Sequence, residues 1–162
     1  MKNALPGYGE LCVQIQAALG LERRSLLIGI DGAPGWGKTS TAAWLAWQLG
    51  MPVVHLDFYT DMATRRLTTG TGEVARLIDY RLGSGKPVIV EGILLLDALD
   101  AAGRRPDFLV FIDGEPEGKY SERIHDYWAR YDARSKADFI LPGYDERGGI
   151  ERAIRDAANV DG

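Results

Sequence analysis

Residues 32–39 read Gly-Ala-Pro-Gly-Trp-Gly-Lys-Thr, a glycine-rich stretch that ends in a lysine and a threonine. Gly32, Gly35 and Gly37 give the backbone the freedom to turn successive N–H groups toward one centre. Lys38 then adds a positive charge and Thr39 adds a hydroxyl. Amides that converge beside an ammonium group form a cradle for phosphate oxygens, so the pattern G-x-x-x-x-G-K-S/T predicts a phosphate-binding loop.

The sequence on either side of this loop is that of a strand and a helix. Residues 25–31 form an apolar run that ends in an aspartate, which is typical of a central parallel strand buried on both faces. Residues 39–49 are rich in Ala, Trp and Leu and are followed by Gly50, which indicates a helix. A strand before the loop and a helix after it are the context that the pattern requires. The positive end of the helix dipole would also face the bound anion.

The loop therefore predicts a site for ATP or GTP with Mg²⁺. We expect Lys38 to reach the β- and γ-phosphates, the Thr39 hydroxyl to bind Mg²⁺, and Ser40 to contact a phosphate nearer the sugar. Trp36 is open to two interpretations: its ring packs outward over the loop, or it covers the phosphates or stacks on a ligand. The predicted nucleotide-binding residues are Gly32, Ala33, Pro34, Gly35, Trp36, Gly37, Lys38, Thr39 and Ser40.

Apolar runs and helical patterns alternate along the rest of the chain. Further strands are predicted over 52–56, 87–90, 107–112 and 137–141, and further helices over 8–19, 72–82, 93–101, 116–134 and 149–158. This alternation predicts an α/β fold, a three-layer α/β/α P-loop NTPase domain with a mostly parallel five-stranded sheet. With 162 residues and neither a repeat nor a linker, residues 1–162 are expected to form a single domain.

Composition narrows the classes of partner. The net charge of −4 argues against non-specific nucleic-acid binding, which depends on neutralising phosphates with Lys and Arg. The chain has neither an apolar run of about 20 residues nor a signal-peptide pattern, so we expect a cytoplasmic protein without membrane association. Cys12 is the only cysteine and excludes an intramolecular disulfide. The two histidines have no cysteine cluster nearby, which disfavours structural zinc.

Four carboxylates fall at or just past the ends of predicted strands. They are Asp31, Asp57, Glu91 and Asp113. Because ligands of parallel α/β sheets bind beyond the carboxyl ends of the strands, this placement supports a site at the same edge as the loop.

Four stretches, in order, resemble the uridine kinase-like branch of P-loop kinases, which includes uridine, nicotinamide riboside, pantothenate and phosphoribulose kinases. They are the loop 32–39, His-Leu-Asp-Phe-Tyr at 55–59, Val-Ile-Val-Glu-Gly-Ile-Leu at 88–94, and Ala-Asp-Phe-Ile-Leu-Pro-Gly at 137–143. The resemblance implies transfer of the ATP γ-phosphate to a hydroxyl of a small molecule, with a nucleoside favoured as the acceptor.

The resemblance also implies roles for individual residues. Asp57 would be the catalytic base facing the acceptor hydroxyl, and Glu91 the second carboxylate on the metal side. The sequence departs from the family at Leu56, where an acidic residue is common. Arg65, Arg66 and Arg76 lie where the family recognises its acceptor, although surface placement is the simpler interpretation.

Residues 116–134, which we call the lid segment, resemble the family's mobile lid. Arg123 is the closest match to a catalytic lid arginine, which joins Lys38 in neutralising the transferred phosphate, and Arg130 is second. A further arginine of the family is replaced by His125, and the spacing is one residue shorter. Trp128 and Tyr131 lie three residues apart and are interpreted as core residues or as a substrate platform.

Two other functions stay open at this point. Leu56 and the short lid segment favour a regulatory protein that binds nucleotide without phosphotransfer. Residues 135–138, Ser-Lys-Ala-Asp, resemble the guanine-reading motif of GTPases only faintly, because the Asn is missing and the stretch begins a strand. The predicted partners are a nucleotide and a small hydroxylated acceptor. The sequence leaves open which acceptor is used and whether the protein forms a homo-oligomer.

Overall fold

Strands and helices alternate along the part of the chain that a computed structural model describes, which is residues 6–61, 66–67 and 71–144. In chain order they are α1 Tyr8–Leu19, β1 Leu27–Gly32, α2 Lys38–Leu49, β2 Val53–His55, a 3-10 turn Leu56–Tyr59, β3 Thr60–Asp61, β4 Arg66–Leu67, α3 Thr71–Gly83, β5 Val88–Glu91, α4 Leu95–Ala101, β6 Phe108–Asp113, a 3-10 turn Gly118–Tyr120, α5 Ser121–Tyr131, α6 Ala133–Lys136 and β7 Phe139–Pro142.

Five of the strands form one sheet in the order β2-β5-β1-β6-β7, and every neighbouring pair is parallel. The central strand β1 pairs with β5 on one side and β6 on the other, with Ile30 opposite Glu91 and Asp31 opposite Phe111. This confirms the predicted α/β fold with its five-stranded sheet. The strands β3 and β4 form a separate antiparallel pair between β2 and α3 in the chain.

Helices cover both faces of the sheet, which gives three layers. Alternate residues of each strand point to opposite faces, so the apolar runs of β1, β5 and β6 fill both interfaces. One core cluster joins the sheet to α1 and α2 through Leu11, Ile15, Ile28, Ile30, Leu45, Ile89 and Val110. The other joins it to α3 and α4 through Leu27, Val74, Ile78, Val88, Val90, Leu95, Leu99 and Leu109. Each fully buried Leu or Ile stabilises the fold by about 1.5–3 kcal/mol.

The lid segment differs from its prediction as one long helix. The structure divides it into a 3-10 turn, α5 and α6, and the last two are separated at Asp132. Asp132 adopts φ 49°, a left-handed conformation that ends a helix and that Asp tolerates better than most residues. The predicted closing helix, 149–158, lies outside the described residues.

Within the described residues, no helix has the length and apolar character needed to cross a membrane.

Candidate nucleotide-binding and active site

The phosphate loop has the backbone that its glycines were expected to allow. Gly32, Gly35 and Gly37 have φ values of 146°, 83° and 91°, all in regions that residues with a Cβ rarely adopt. At Gly32 a Cβ would also lie 2.6 Å from the carbonyl oxygen of Ile112 on β6. The first turn of the loop therefore needs glycine both for its conformation and for its close approach to the neighbouring strand.

Lys38 begins helix α2 and is only 7% exposed. Its Nζ donates a hydrogen bond to the carbonyl oxygen of Ala33 at 2.7 Å, so the side chain crosses the loop. This position puts a buried ammonium group beside the loop amides, which is the charge arrangement that a polyphosphate requires.

Two residues that the sequence analysis missed hold the loop from behind. The Thr41 hydroxyl donates to the carbonyl oxygen of Gly37 at 2.7 Å, and Tyr8 of α1 contacts the same hydroxyl at 2.7 Å. Both side chains are buried. Thr41 stands four residues after Gly37, a spacing at which a threonine can bond back to a carbonyl, whereas no local signal points to Tyr8.

The two predicted metal ligands lie together at the carboxyl ends of the strands. The Thr39 hydroxyl is 3.3 Å from Oε1 of Glu91, which ends β5 and is 2% exposed. The same oxygen is 2.7 Å from Nδ1 of His55 at the end of β2. His55 was not predicted to take part, but its place beside Asp57 in the 55–59 stretch was a signal.

These residues fit Mg²⁺. Thr39 and Glu91 supply hard oxygen atoms next to the phosphate loop, and Mg²⁺ bound to nucleotides takes few protein ligands and completes its shell with phosphate oxygens and water. The described residues contain no group of three His, Cys, Asp or Glu side chains that could hold a metal by themselves. Any metal here would therefore depend on the phosphates.

Asp31 lies under the loop and is completely buried. Its Oδ1 accepts the Gly32 N–H at 2.7 Å, and its Oδ2 accepts a hydrogen bond from the Tyr127 hydroxyl of α5. Burial raises the pKa of Asp31 to about 6, although the hydrogen bonds and the Lys38 charge oppose the rise. Burial and the adjacent carboxylate raise the pKa of Tyr127.

The predicted base, Asp57, is exposed in the 3-10 turn that follows β2. Leu56, the residue that departs from the family, is buried and packs on Gly92, where a Cβ would lie 2.8 Å from the Leu56 Cβ. The turn thus buries an apolar side chain in the core and leaves Asp57 in solvent. Asp57 follows His55 by two residues, and the Nδ1 of His55 is the atom that contacts the Glu91 carboxylate.

The lid segment is packed against the rest of the domain. Arg123 lies one turn before Tyr127 on α5, and both line a pocket of about 420 Å³. Arg130 instead bonds to Asp97 of α4 and to the Tyr131 hydroxyl, so the second lid candidate points to a surface pair.

Two more contacts fix the lid segment to β6. The Trp128 ring packs edge-on against Phe111, with centroids 5.5 Å apart. Arg134 makes a two-pronged ion pair with Asp113 at 3.1 and 3.2 Å. Trp128 therefore packs on the core, whereas Tyr131 contacts Tyr127 near the surface, with ring centroids 5.1 Å apart.

Three more residues that the sequence marks as candidates are Trp36, Ser40 and Arg76. The Trp36 ring packs over Gly114 and Gly143, and its Nε1 donates to the Glu115 carbonyl oxygen at 2.7 Å, which agrees with the outward-packing interpretation. Ser40 is exposed on the first turn of α2. Arg76 is exposed and bonds to the carbonyl oxygen of Gly72 in its own helix.

The remaining predictions concern Arg65, Arg66 and the GTPase-like stretch 135–138. Arg65 lies outside the described residues, and for Arg66 only the backbone is described. Asp138 of the GTPase-like stretch accepts the Leu109 N–H at 2.7 Å. Asp138 lies just before β7, and its carboxylate holds the start of the β6–β7 pair together.

In fold and in the form of its loop, the chain is a P-loop NTPase. A family model agrees: residues 28–126 match the ATPase family associated with various cellular activities (AAA), and the chain belongs to that family. No curated protein matches the sequence.

Two solved structures share the fold over most of their length. A possible uridine kinase from Bacillus stearothermophilus has a TM-score of 0.59 and 19% identity, covering 83% of this chain and 96% of that chain. A candidate fructose transport system kinase from Silicibacter sp. TM1040 has a TM-score of 0.53 and 15% identity, covering 83% and 98%. At these identities the likeness establishes the fold.

Proposed function

We propose that the protein transfers the γ-phosphate of ATP to a hydroxyl of a small molecule, with a nucleoside as acceptor, as uridine kinase-like enzymes do. The observation that carries the proposal is the meeting of Thr39 and Glu91 beside a loop shaped for phosphates. The two solved structures described as kinases support it, since they share the fold.

The proposed chemistry divides the work among the residues of the site. The loop amides and Lys38 hold the β- and γ-phosphates and stabilise the negative charge on the transferred group. When bound at Thr39 and Glu91, Mg²⁺ would supply further neutralisation of the phosphates.

Asp57 accepts the proton of the acceptor hydroxyl while that oxygen bonds to the γ-phosphorus and the bond to ADP breaks. Its exposed position leaves room for an acceptor to approach it. Arg123 approaches the transferred group from the lid segment.

A pocket lined in part by the 3-10 turn that carries the proposed base favours a nucleoside as the acceptor. It has a volume of about 390 Å³, and its lining includes His55 and Phe58, which flank Asp57 in sequence. Tyr59, Tyr80 and Leu77 add further apolar surface. Flat aromatic side chains suit a planar base better than a sugar alone.

Two observations favour a second function, nucleotide binding without transfer. Leu56 is part of the core where the family commonly has an acidic residue. Helix α5 is hydrogen-bonded to Asp31 and Asp97. The lid segment would have to break these contacts before Arg123 could move over the phosphates.

A screen of nucleosides, vitamins and sugars for acceptor-dependent ADP release tests the proposal. We expect release with a nucleoside, and we expect Asp57→Asn to lower kcat about 10²–10⁴-fold while nucleotide affinity stays unchanged. Asp100→Asn, on the exposed side of α4, is the matched control and should keep full turnover. Full turnover in Asp57→Asn would refute the role of Asp57 as the base. Nucleotide binding with no ADP release for any acceptor in the screen would favour the regulatory function.

A further inference from the structure

A buried carboxylate joins three parts of the molecule that are far apart in sequence. Asp31 ends the apolar run of β1 and is fully buried. It bonds to Gly32 at the start of the phosphate loop, to the amide of Leu95 at the start of α4, and to the Tyr127 hydroxyl of α5. A buried carboxylate is tolerated only when several donors surround it, so each of these contacts matters to the site.

The direction of the Tyr127 hydrogen bond follows from a count of donors. A phenol has one proton, and the Tyr127 oxygen already accepts the Leu96 N–H at 2.9 Å. The hydroxyl proton is therefore directed at Oδ2 of Asp31. Tyr127 is 6% exposed, so water does not compete for this proton.

The other oxygen of Asp31 acts on the phosphate loop. Oδ1 accepts the Gly32 N–H at 2.7 Å, and Gly32 is the residue whose φ of 146° opens the turn. The Lys38 ammonium group also lies close enough to the Asp31 carboxylate for the two charges to attract each other. Rotation or loss of this carboxylate would free the first amide of the loop and change the field at the lysine.

We propose that Tyr127 is a positioning residue for the phosphate loop. Its hydroxyl holds the Asp31 carboxylate against the Gly32 amide and ties helix α5 to the first turn of the loop. Arg123 lies one turn earlier on the same face of α5.

The surroundings of Asp31 make this arrangement sensitive to pH. The titratable groups acting on it are Lys38 from α2 and Tyr127 from α5, and α4 contributes only the Leu95 amide. On the neighbouring strands, β6 presents Phe111 in register with Asp31, and the nearest charged position on β5 is Glu91, in register with Ile30. Loss of the tyrosine donor should therefore favour protonation of Asp31.

The first experiment needs no ligand. The amide resonance of Gly32 is followed by NMR from pH 4.5 to 8.5 in wild type, Tyr127→Phe and Tyr131→Phe. We expect a midpoint near 6 in wild type, and a midpoint about one pH unit or more higher in Tyr127→Phe. Tyr131→Phe is the matched control, because its hydroxyl bonds to Asp97 instead, and its midpoint should equal that of wild type. Equal midpoints in wild type and Tyr127→Phe would overturn the proposal.

The second experiment rests on the proposed nucleotide site. The affinity for ADP with Mg²⁺ is measured by isothermal titration at pH 5 and pH 7 in the same three proteins. We expect Tyr127→Phe to bind about three- to tenfold more weakly than wild type at pH 7, and within about twofold of it at pH 5, where Asp31 is protonated in both. A merely structural role would give the same ratio at both pH values and would contradict the proposal.

The two experiments separate the two claims. Absence of nucleotide binding in wild type would refute the proposed function, while the Gly32 midpoints would still decide the role of Tyr127. Thermal unfolding of each variant checks that the fold is retained before either comparison is made.

Discussion

The buried polar side chains of the described residues are Asp31, Lys38, Thr41 and Glu91, and all four belong to the phosphate loop or contact its elements. A buried charge costs several kcal/mol unless it is paired and hydrogen-bonded. The apolar core elsewhere avoids that cost. These groups are therefore concentrated at one end of the sheet, where the phosphate loop lies.

Asp31 provides a prediction at the scale of one residue. Its pKa is about 6 in the folded protein and 3.8 in its ordinary state, so the folded protein binds the proton more tightly. Stability from this group is thus present below pH 4 and is lost as the pH rises to 6. Relative to Asp31→Asn, wild type should lose about 2 kcal/mol of unfolding free energy between pH 4 and pH 7.

Urea denaturation of wild type and Asp31→Asn at both pH values measures this difference. Lys38 and Tyr127, the titratable neighbours of Asp31, are identical in both proteins, so the comparison isolates the carboxyl group. A difference that does not change with pH would mean that Asp31 keeps an ordinary pKa.

The sequence predicted some residues of this candidate site and not others, and the difference has a physical reason. Lys38, Thr39 and Glu91 were identified because a local pattern or a strand end marks them. His55 and Tyr127 were missed because their roles come from contacts across 36 and 96 residues. Such contacts depend on the strand order and on helix packing, which periodicity along the chain does not encode.

At the scale of elements, the α5–α6 junction shows where local pattern reasoning stops. The lid segment has helical character on both sides of Asp132, so the sequence alone predicted one helix. The structure breaks it because the chain must turn into β7, which pairs with β6. Most other boundaries agree within two residues of the prediction, since glycines end the helices α1 and α2.

This break gives a prediction about stability. Asp132 is exposed and holds φ 49°, a conformation that costs an L-residue about 1 kcal/mol and costs glycine little. Asp132→Gly should therefore stabilise the protein by about 0.5–1 kcal/mol and raise Tm by about 1–4 °C. Ala129→Gly, at an exposed position inside α5, is the control and should lower Tm, because glycine weakens a helix interior. Thermal unfolding of both variants tests this prediction. A lower Tm for Asp132→Gly would show that the Asp132 side chain itself stabilises the fold.

At the scale of the whole molecule, five parallel strands bring residues from distant parts of the chain to one edge. Strand β1 delivers Asp31 and the loop, β2 delivers His55 and leads to Asp57, and β5 delivers Glu91. The fold class was predictable because alternating strands and helices leave few topologies. The identity of the acceptor was not, because it depends on side chains around a pocket and not on the fold.

The proposed function depends on the phosphate loop holding a polyphosphate together with Mg²⁺. Isothermal titration of ATP into wild type, with Mg²⁺ and with a chelator, tests this most directly, beside Lys38→Ala and the exposed control Lys136→Ala. We predict Mg²⁺-dependent binding that Lys38→Ala weakens about 100-fold and that Lys136→Ala leaves unchanged. Absence of binding in wild type, or equal affinity in Lys38→Ala, would contradict the account.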